Sequence, residues 1–395
     1  MNTVFPIDGG SATLVLLDSR EAWESIRSRA AAFGSGVEAG NPWSMWEYFS
    51  TLCDCFLSDK TNWYLEVTGA GEASPGGCMF LTEEVQKRRM FSLKVLRALD
   101  HMAFRLPPFL CAQGAAEKVS SLLAAALRAA GRHLKADLFI QYRLEENRID
   151  RWVSDLTEQG CSVRKRLFTT SPKLEPGEDF EEFCKGKRNV LPDIRRRERR
   201  MNTENPGSVT MKHLWRVCPD RDAGAEAWKL FQACRDASWQ KKWIEDSGRA
   251  DISAVDRFYR TMAEIWGERG WTSLQTLEIG GTPAAAQFWL MMPGSTWLII
   301  FAYDQQFSRH GVGNVLMFRS LEDWHAHGGR LIEFGGECLG WKKDWANGFS
   351  DIFQLEVGLG SLKARLWALA GRIRPKPERE MVRTGRENDL GTASE

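Results

Sequence analysis

Residues 272–303 read TSLQTLEIGGTPAAAQFWLMMPGSTWLIIFAY. Three apolar, β-prone runs are divided by Gly280-Gly281 and by Pro293-Gly294, dipeptides that close tight turns. The spacing predicts strands at Thr272 to Ile279, Ala284 to Met291 and Trp297 to Tyr303, joined as antiparallel hairpins. Beyond them the pattern changes. Gly311-Val312-Gly313-Asn314 opens a helical run to His327, and Arg330 to Phe334 reads as another strand. A strand, helix and strand of this length make a right-handed parallel crossover. The stretch therefore predicts an antiparallel meander feeding one parallel crossover. A further strand, Ile352 to Val357, and a helix, Gly360 to Ile373, close this part of the chain.

Upstream lie a strand at Val209 to Val217 and helices at Ala225 to Ser238 and Ala254 to Arg269. Before them is a basic segment, Lys185 to Arg200, KGKRNVLPDIRRRERR. Leu191, Ile194 and Met201 fall on one helical face, Pro192 suits the first turn, and Arg195, Arg196, Arg199 and Arg200 lie elsewhere. Three readings fit this arginine run: a solvated helix face, a grip on an anionic substrate such as a sugar nucleotide or lipid phosphate, or contact with RNA backbone.

The first half alternates strands and helices. Strands are expected at Ala12 to Leu17, Trp63 to Val67, Cys78 to Leu81, Asp137 to Gln141 and Ser162 to Leu167. Helices are expected from an Asp18/Glu21 capping box to Phe33, at Trp43 to Phe56, at Ala115 to Ala130 with Gly131 as the stop, and at Ile149 to Gln159. Ser171-Pro172 to Pro176-Gly177 is the linker candidate. The expected division is 1–170 and 178–373, with a polar, disordered tail at 374–395.

With 395 residues the chain is long enough for two domains, and a net charge of +1 favours neither nucleic acid nor an anionic membrane in bulk. The N-terminal residues lack a basic-then-apolar leader, and no apolar run approaches a membrane span. A cytoplasmic setting with no transmembrane segment is expected. Nine scattered Cys suit a reduced compartment, and six His stand at no metal-binding spacing. No metal is expected. Most of the 17 Trp read as core fillers.

The order Ala284-Ala-Ala-Gln-Phe-Trp, Trp297 to Asp304, Phe307-Ser-Arg309-His-Gly311-Val-Gly313, Leu331-Ile-Glu-Phe-Gly-Gly and Trp341-Lys342-Lys343-Asp344-Trp345 resembles the GNAT superfamily. More closely it resembles the FemAB-like branch and its CelD/BcsL-type, BioF2-like acetyltransferase domain. The Arg-rich helix and Ser238-Trp239-Gln240-Lys241 are similar to further signatures of that group. The resemblance covers about Glu178 to Trp345 and implies tandem GNAT-like domains of α/β (α+β) class, the first degenerate, with a mixed, mainly antiparallel sheet flanked by helices. It implies an acyl-CoA-dependent N-acyltransferase, with acetyl-CoA or another acyl-CoA as co-substrate. The acceptor implied is a small molecule or saccharide, an amino sugar or related precursor in polysaccharide or cell-envelope biosynthesis. Three positions depart from the family pattern. Ser308 begins the loop where Gln or Arg is usual, Arg309 coming one later; Gln240 replaces a Lys; and Trp341 replaces a Tyr that often protonates the leaving thiolate.

Acyl transfer from a thioester needs an anion site for the donor's pyrophosphate, and a helix start with small residues supplies one. Arg309, Gly311, Val312, Gly313 and Asn314 are the candidates; the alternative is that the glycines only make a tight turn. A base must take the amine's proton. Glu333 is the first candidate, with Glu337 and Asp304 behind it, although alternation alone could set Glu333 on a solvated face. Tyr303 is the candidate partner of the thiolate, or a strand cap. Backbone donors late in the Trp297 to Tyr303 strand are candidates for the oxyanion. Trp239, Lys241, Gln287, Trp341, Lys342 and Lys343 are candidate acceptor contacts. Two other functions stay open. A Fem-type transferase would use aminoacyl-tRNA, the only reading that calls for nucleic acid, and a GNAT-like scaffold would have no activity.

Overall fold

The structure is a computed structural model, and it describes residues 2–31, 41–56, 61–72, 74–87, 92–99, 107–111, 114–238, 252–336 and 340–373. The chain forms two compact units that are not simple halves. One holds residues 1–33, 60–170 and 351–395, the other residues 34–59 and 171–350. The segment 34–59 thus counts with the second unit, and the last strand and helix count with the first.

In the first unit β1 (Asn2–Ile7) and β2 (Gly10–Leu16) form a hairpin, followed in antiparallel order by β3 (Asn62–Gly69), β4 (Gly77–Lys87) and β5 (Ser92–Ala98). The short β6 (Leu110–Cys111) pairs with β4. Helix α3 (Ala116–His133) crosses over to β7 (Leu138–Glu145), which lies parallel to β5. This is the same meander and crossover that the later sequence predicts for the second unit. Helices α1 (Arg20–Ala31) and α4 (Glu146–Glu158) flank it. The start of α1 is capped by Ser19, whose Oγ accepts from Ala22 N at 3.1 Å, rather than by Asp18. Strand β3 is buried on both faces. Its Trp63, Leu65 and Val67 join a core with Leu123, Leu127 and Ala130 of α3, while Tyr64 and Glu66 point the other way and Arg29 of α1 pairs with Glu66 at 2.8 Å. Helix α3 runs through Gly131, expected as its end; the glycine makes room for Leu359, since a Cβ there would lie 2.8 Å from Leu359 Cδ1.

Strand β8 (Ser162–Leu174) runs through Ser171-Pro172, part of the expected linker. A proline lacks the N–H for a ladder, but Pro172 uses its carbonyl, accepting from Phe334 N at 3.1 Å. Helices α5 (Phe180–Gly186) and α6 (Leu191–Glu204) follow. Pro192 sits in the first turn of α6, and Leu191, Ile194 and Met201 are its buried face, as the spacing predicts.

The second unit's sheet runs β9 (Val209–Leu214), β10 (Thr272–Ile279), β11 (Thr282–Met292), β12 (Ser295–Tyr303), β13 (Ile332–Glu333) and the end of β8. Gly280 and Gly281, at φ 60° and 76°, make the two-residue turn between Ile279 and Thr282; both positions need positive φ in a type I′ turn. One face packs on α7 (Asp222–Asp236) and α8 (Ile252–Glu268), where Phe288 meets Trp228, Phe231 and Trp266. Helix α2 (Trp46–Phe56) and the turn before it join this layer: Trp43 stands edge-on to Trp266 and to Trp297, with centroids 5.8 and 6.2 Å away. The opposite face carries α9 (Val312–Ala326) over Trp289, Leu298 and Ile332. Trp43, Trp266, Trp289, Trp297, Trp324 and Trp345 are fully buried, so these tryptophans are core. Helix α10 (Gly340–Trp345) follows β13; β14 (Gly348–Gly358) pairs with β7, and α11 (Leu362–Ile373) ends the described chain.

Candidate active site

Strands β12 and β13 are parallel for two register pairs only, Thr296 with Ile332 and Trp297 with Glu333. Strand β12 then continues to Tyr303, whereas β13 ends. The expected strand Arg330 to Phe334 is thus cut to two residues. After Phe334, Gly335 and Gly336 take φ 57° and 59°, a left-handed turn that carries the chain away from the sheet. The result is an opening beside residues 298–303 of β12. The register between β11 and β12 also shifts between Phe288/Ile300 and Trp289/Leu298, a bulge that leaves Ile299 without a cross-strand partner.

Below the opening, a 3-10 turn at Gln305–His310 leads to Gly311, which has φ 59° and ψ 35° and stands at the N-cap of α9. The first helical bond runs from Val315 N to Gly311 O at 3.0 Å. The amides of Val312, Gly313 and Asn314 precede it and belong to the donors that a helix start leaves unmet. Gly311 and Asn314 are half-buried; Val312 and Gly313 are buried. Both glycines have packing reasons to be glycine. A Cβ on Gly311 would sit 2.7 Å from Arg197 Cδ, and one on Gly313 would sit 2.5 Å from Phe301 Cζ. The anion reading and the tight-turn reading describe the same atoms here.

Arg309 has been drawn to α6. Its guanidinium pairs with Glu204 at 3.0 Å and donates to His310 Nε2 at 3.1 Å. The cation that lies against Gly311 is Arg197, held by Asp193 at 2.6 Å. Arg196 also pairs with Asp193, and Arg200 with Glu204 at 2.7 Å. The guanidinium of Arg195 lies 5.9 Å from the Phe318 ring centroid. Much of the arginine run is therefore matched by carboxylates of its own helix. Glu204 holds its proton less readily than an ordinary carboxyl, chiefly through Arg200. His310 is buried, and its basicity is lowered first by desolvation and then by Arg309.

Glu333 is 2% exposed and forms an ion pair with Lys173 at 3.4 Å, so the alternative of a solvated face does not hold. Tyr303 is half-buried at the end of β12, 6.2 Å from the Phe301 ring centroid, and Asp304 caps the 3-10 turn by accepting from Gln306 N at 2.9 Å. Trp341 lies across the opening on the α9 side, 5.0 Å from the Phe301 centroid and 6.1 Å from that of Phe334. Lys342 is buried and donates to the carbonyls of Phe334 (3.1 Å) and Gly335 (2.6 Å), bracing the turn after β13. Lys343 is exposed. Gln287 is fully buried, accepts from Trp289 Nε1 at 2.9 Å and donates to Met317 Sδ, which gives it a core role. Trp239, Lys241 and Glu337 lie outside the described residues.

Sequence reasoning missed Arg197, Lys173 and Phe301. Lys173 and Phe301 owe their places to partners on other elements, and Arg197, though held by Asp193 of its own helix, stands out only because Gly311 of another element lies against it. Among the described residues no group of three or more His, Cys, Asp or Glu is placed to hold a metal, and no helix is long and apolar enough to cross a membrane.

The second unit thus has a meander, a short parallel pair and a crossover helix starting at glycines, and the first unit repeats the meander and the crossover. Residues 188–343 match the family described as "Acetyltransferase (GNAT) domain". The chain is similar in structure to FemX, at 12% identity over 87% of this chain and 98% of that one, with a TM-score of 0.47. It is similar also to a tandem GNAT protein from the clavulanic acid biosynthesis pathway (12%, 89% and 99%, TM-score 0.42). A third likeness is to L-PGS from Bacillus licheniformis (11%, 86% and 100%, TM-score 0.45). No curated protein matches the sequence.

Proposed function

We propose that the second unit is an N-acyltransferase that moves an acyl group, acetyl in the simplest case, from coenzyme A to an amine. The observation that carries this reading is the separation of β12 from β13 after Trp297 and Glu333, above the unmet amides at the start of α9. A donor's pyrophosphate would take the amides of Val312, Gly313 and Asn314, with Arg197 alongside. Its acyl arm would follow β12 beyond its last register pair with β13. Attack of the amine nitrogen on the thioester carbonyl forms the C–N bond, and collapse breaks the C–S bond. Glu333 is the group we assign to take the amine's proton, directly or through a water, and Tyr303 is assigned to protonate the leaving thiolate. The Ile299 amide, at the bulge, is the donor we assign to the oxyanion. The family resemblance, rather than geometry, suggests an amino sugar or related envelope precursor as acceptor.

A second reading, transfer from aminoacyl-tRNA, has one observation in its favour: Trp341 crosses the opening that a pantetheine arm would use. Against it, Arg196 and Arg200 already have carboxylate partners. Thermal unfolding with acetyl-CoA, a longer acyl-CoA and free CoA separates the two. A ligand at a hundred times its Kd adds about 2.7 kcal/mol to the native state. A shift with CoA species supports the first reading. No shift, together with salt-sensitive tRNA binding, supports the second.

A further inference from the structure

Helix α11 presents two unlike faces. Its inner face is fixed to the first unit. Ala364 is 1% exposed, and the Trp367 ring lies 3.7 Å from the Arg164 guanidinium, which also donates to the carbonyls of Trp367 and Ala368, both at 2.7 Å. Ser361 caps the helix, accepting from Ala364 N at 3.0 Å and donating to Asp137 at 2.6 Å. The helix is therefore held in place.

The outer face carries Leu362, Leu366 and Leu369, which are 73%, 50% and 54% exposed. They are three of the seven large apolar side chains exposed among the described residues. At 3.6 residues per turn their spacing of four and three sets them within an arc of about 60°. Isolated exposed leucines are ordinary, but an aligned stripe on a fixed helix is a contact surface. By the same geometry, Lys363 and Arg365 stand on opposite sides of the stripe. From Leu362 to Pro377 the sequence holds five basic residues, Lys363, Arg365, Arg372, Arg374 and Lys376, and no acidic one. The net charge of the whole chain is +1, so this is a local concentration of charge.

An apolar stripe edged by cations complements a surface that is apolar beneath and anionic above, as in a bilayer containing anionic headgroups. We propose that α11 docks the protein on an anionic lipid surface. The leucines enter the boundary between headgroups and acyl chains, and Lys363 and Arg365 beside them meet lipid phosphates. The helix has 12 residues, enough to lie in that boundary and too few to span a bilayer. The inference does not depend on the reaction assigned to the second unit.

The test is co-sedimentation of the full chain with vesicles of phosphatidylcholine alone and of phosphatidylcholine mixed with phosphatidylglycerol. The native protein should sediment with the anionic vesicles, less so as salt rises. Changing Leu362→Ser, Leu366→Ser and Leu369→Ser together should lower the partition coefficient by about tenfold or more, since the apolar area that enters the boundary is lost. The circular dichroism and melting temperature should stay unchanged, because the three side chains are exposed. Changing Lys363→Gln and Arg365→Gln should remove much of the preference for anionic vesicles. No vesicle binding by native protein, equal binding to both vesicle types, or undiminished binding by the leucine variant would each overturn the proposal. Self-association that the leucine changes abolish, without vesicle binding, would also overturn it and make a second copy the occupant.

Discussion

Glu333 and Lys173 face each other across the β13–β8 ladder, with an N–O distance of 3.4 Å, at the last register pair before β12 and β13 separate. A buried carboxylate at the vertex of the opening is positioned both to hold the sheet and to take a proton. Glu333→Gln separates the two roles. It keeps the shape and leaves Lys173, which is 23% exposed, partly reachable by water. We expect kcat to fall about 10²–10⁴-fold, with a smaller change in KM. Steady-state kinetics check this. An unchanged kcat would confine Glu333 to the ion pair.

Trp341 covers the α9 side of the same opening. If a donor's arm must displace it, the native protein binds that donor less tightly than a variant with the opening clear. Trp341→Ala should therefore bind acyl-CoA more tightly by calorimetry while losing about 1–3 kcal/mol of stability, less than the full cost of a buried Trp because the ring is half-buried. Weaker binding would make Trp341 a wall of the donor site instead.

Gly313 is a packing glycine. An alanine Cβ would approach Phe301 Cζ to 2.5 Å, and overpacking of this kind costs about 1–3 kcal/mol. Gly313→Ala should be destabilised by that amount, and Phe301→Leu should recover part of the loss. Denaturant titrations of the four proteins of the cycle measure the coupling. Strict additivity would mean that the ring moves aside without cost.

Acid should weaken the second unit through His310. Its folded-state pKa is lowered by desolvation and by Arg309, against an opposing pull from Glu204. The unfolded chain then binds the proton more readily. Stability contributed by the neutral ring is fully present above an unfolded pKa of about 6.5 and is lost as pH falls from there through the folded value. His213, lowered first by desolvation, adds in the same sense. Denaturant midpoints in this window should fall with pH, and His310→Gln should flatten the slope. A slope that the substitution leaves unchanged would contradict the assignment.

The meander was legible because its turns are local. Gly280-Gly281 and Pro293-Gly294 mark the hairpins, and the strands lie within a few residues of the expected bounds. The crossover helix was legible for the same reason. The site was less so. Arg309 looks like an anion ligand until Glu204, far away in sequence, claims it. Gln287 looks like a polar contact until Trp289 and Met317 enclose it. Pro172 looks like a breaker until its carbonyl meets Phe334. Arg309, Gln287 and Pro172 each take at least one partner from another element, which periodicity does not reveal.

The most direct test of the central claim is a reaction of purified protein with acetyl-CoA, or a longer acyl-CoA, and a panel of amino sugars, following free thiol and acylated amine together. Acyl transfer to an amine predicts that the two products form in equal amounts, that both depend on the amine, and that both collapse in Glu333→Gln. Absence of both products with every thioester, alongside an amide product when aminoacyl-tRNA is supplied, would contradict it.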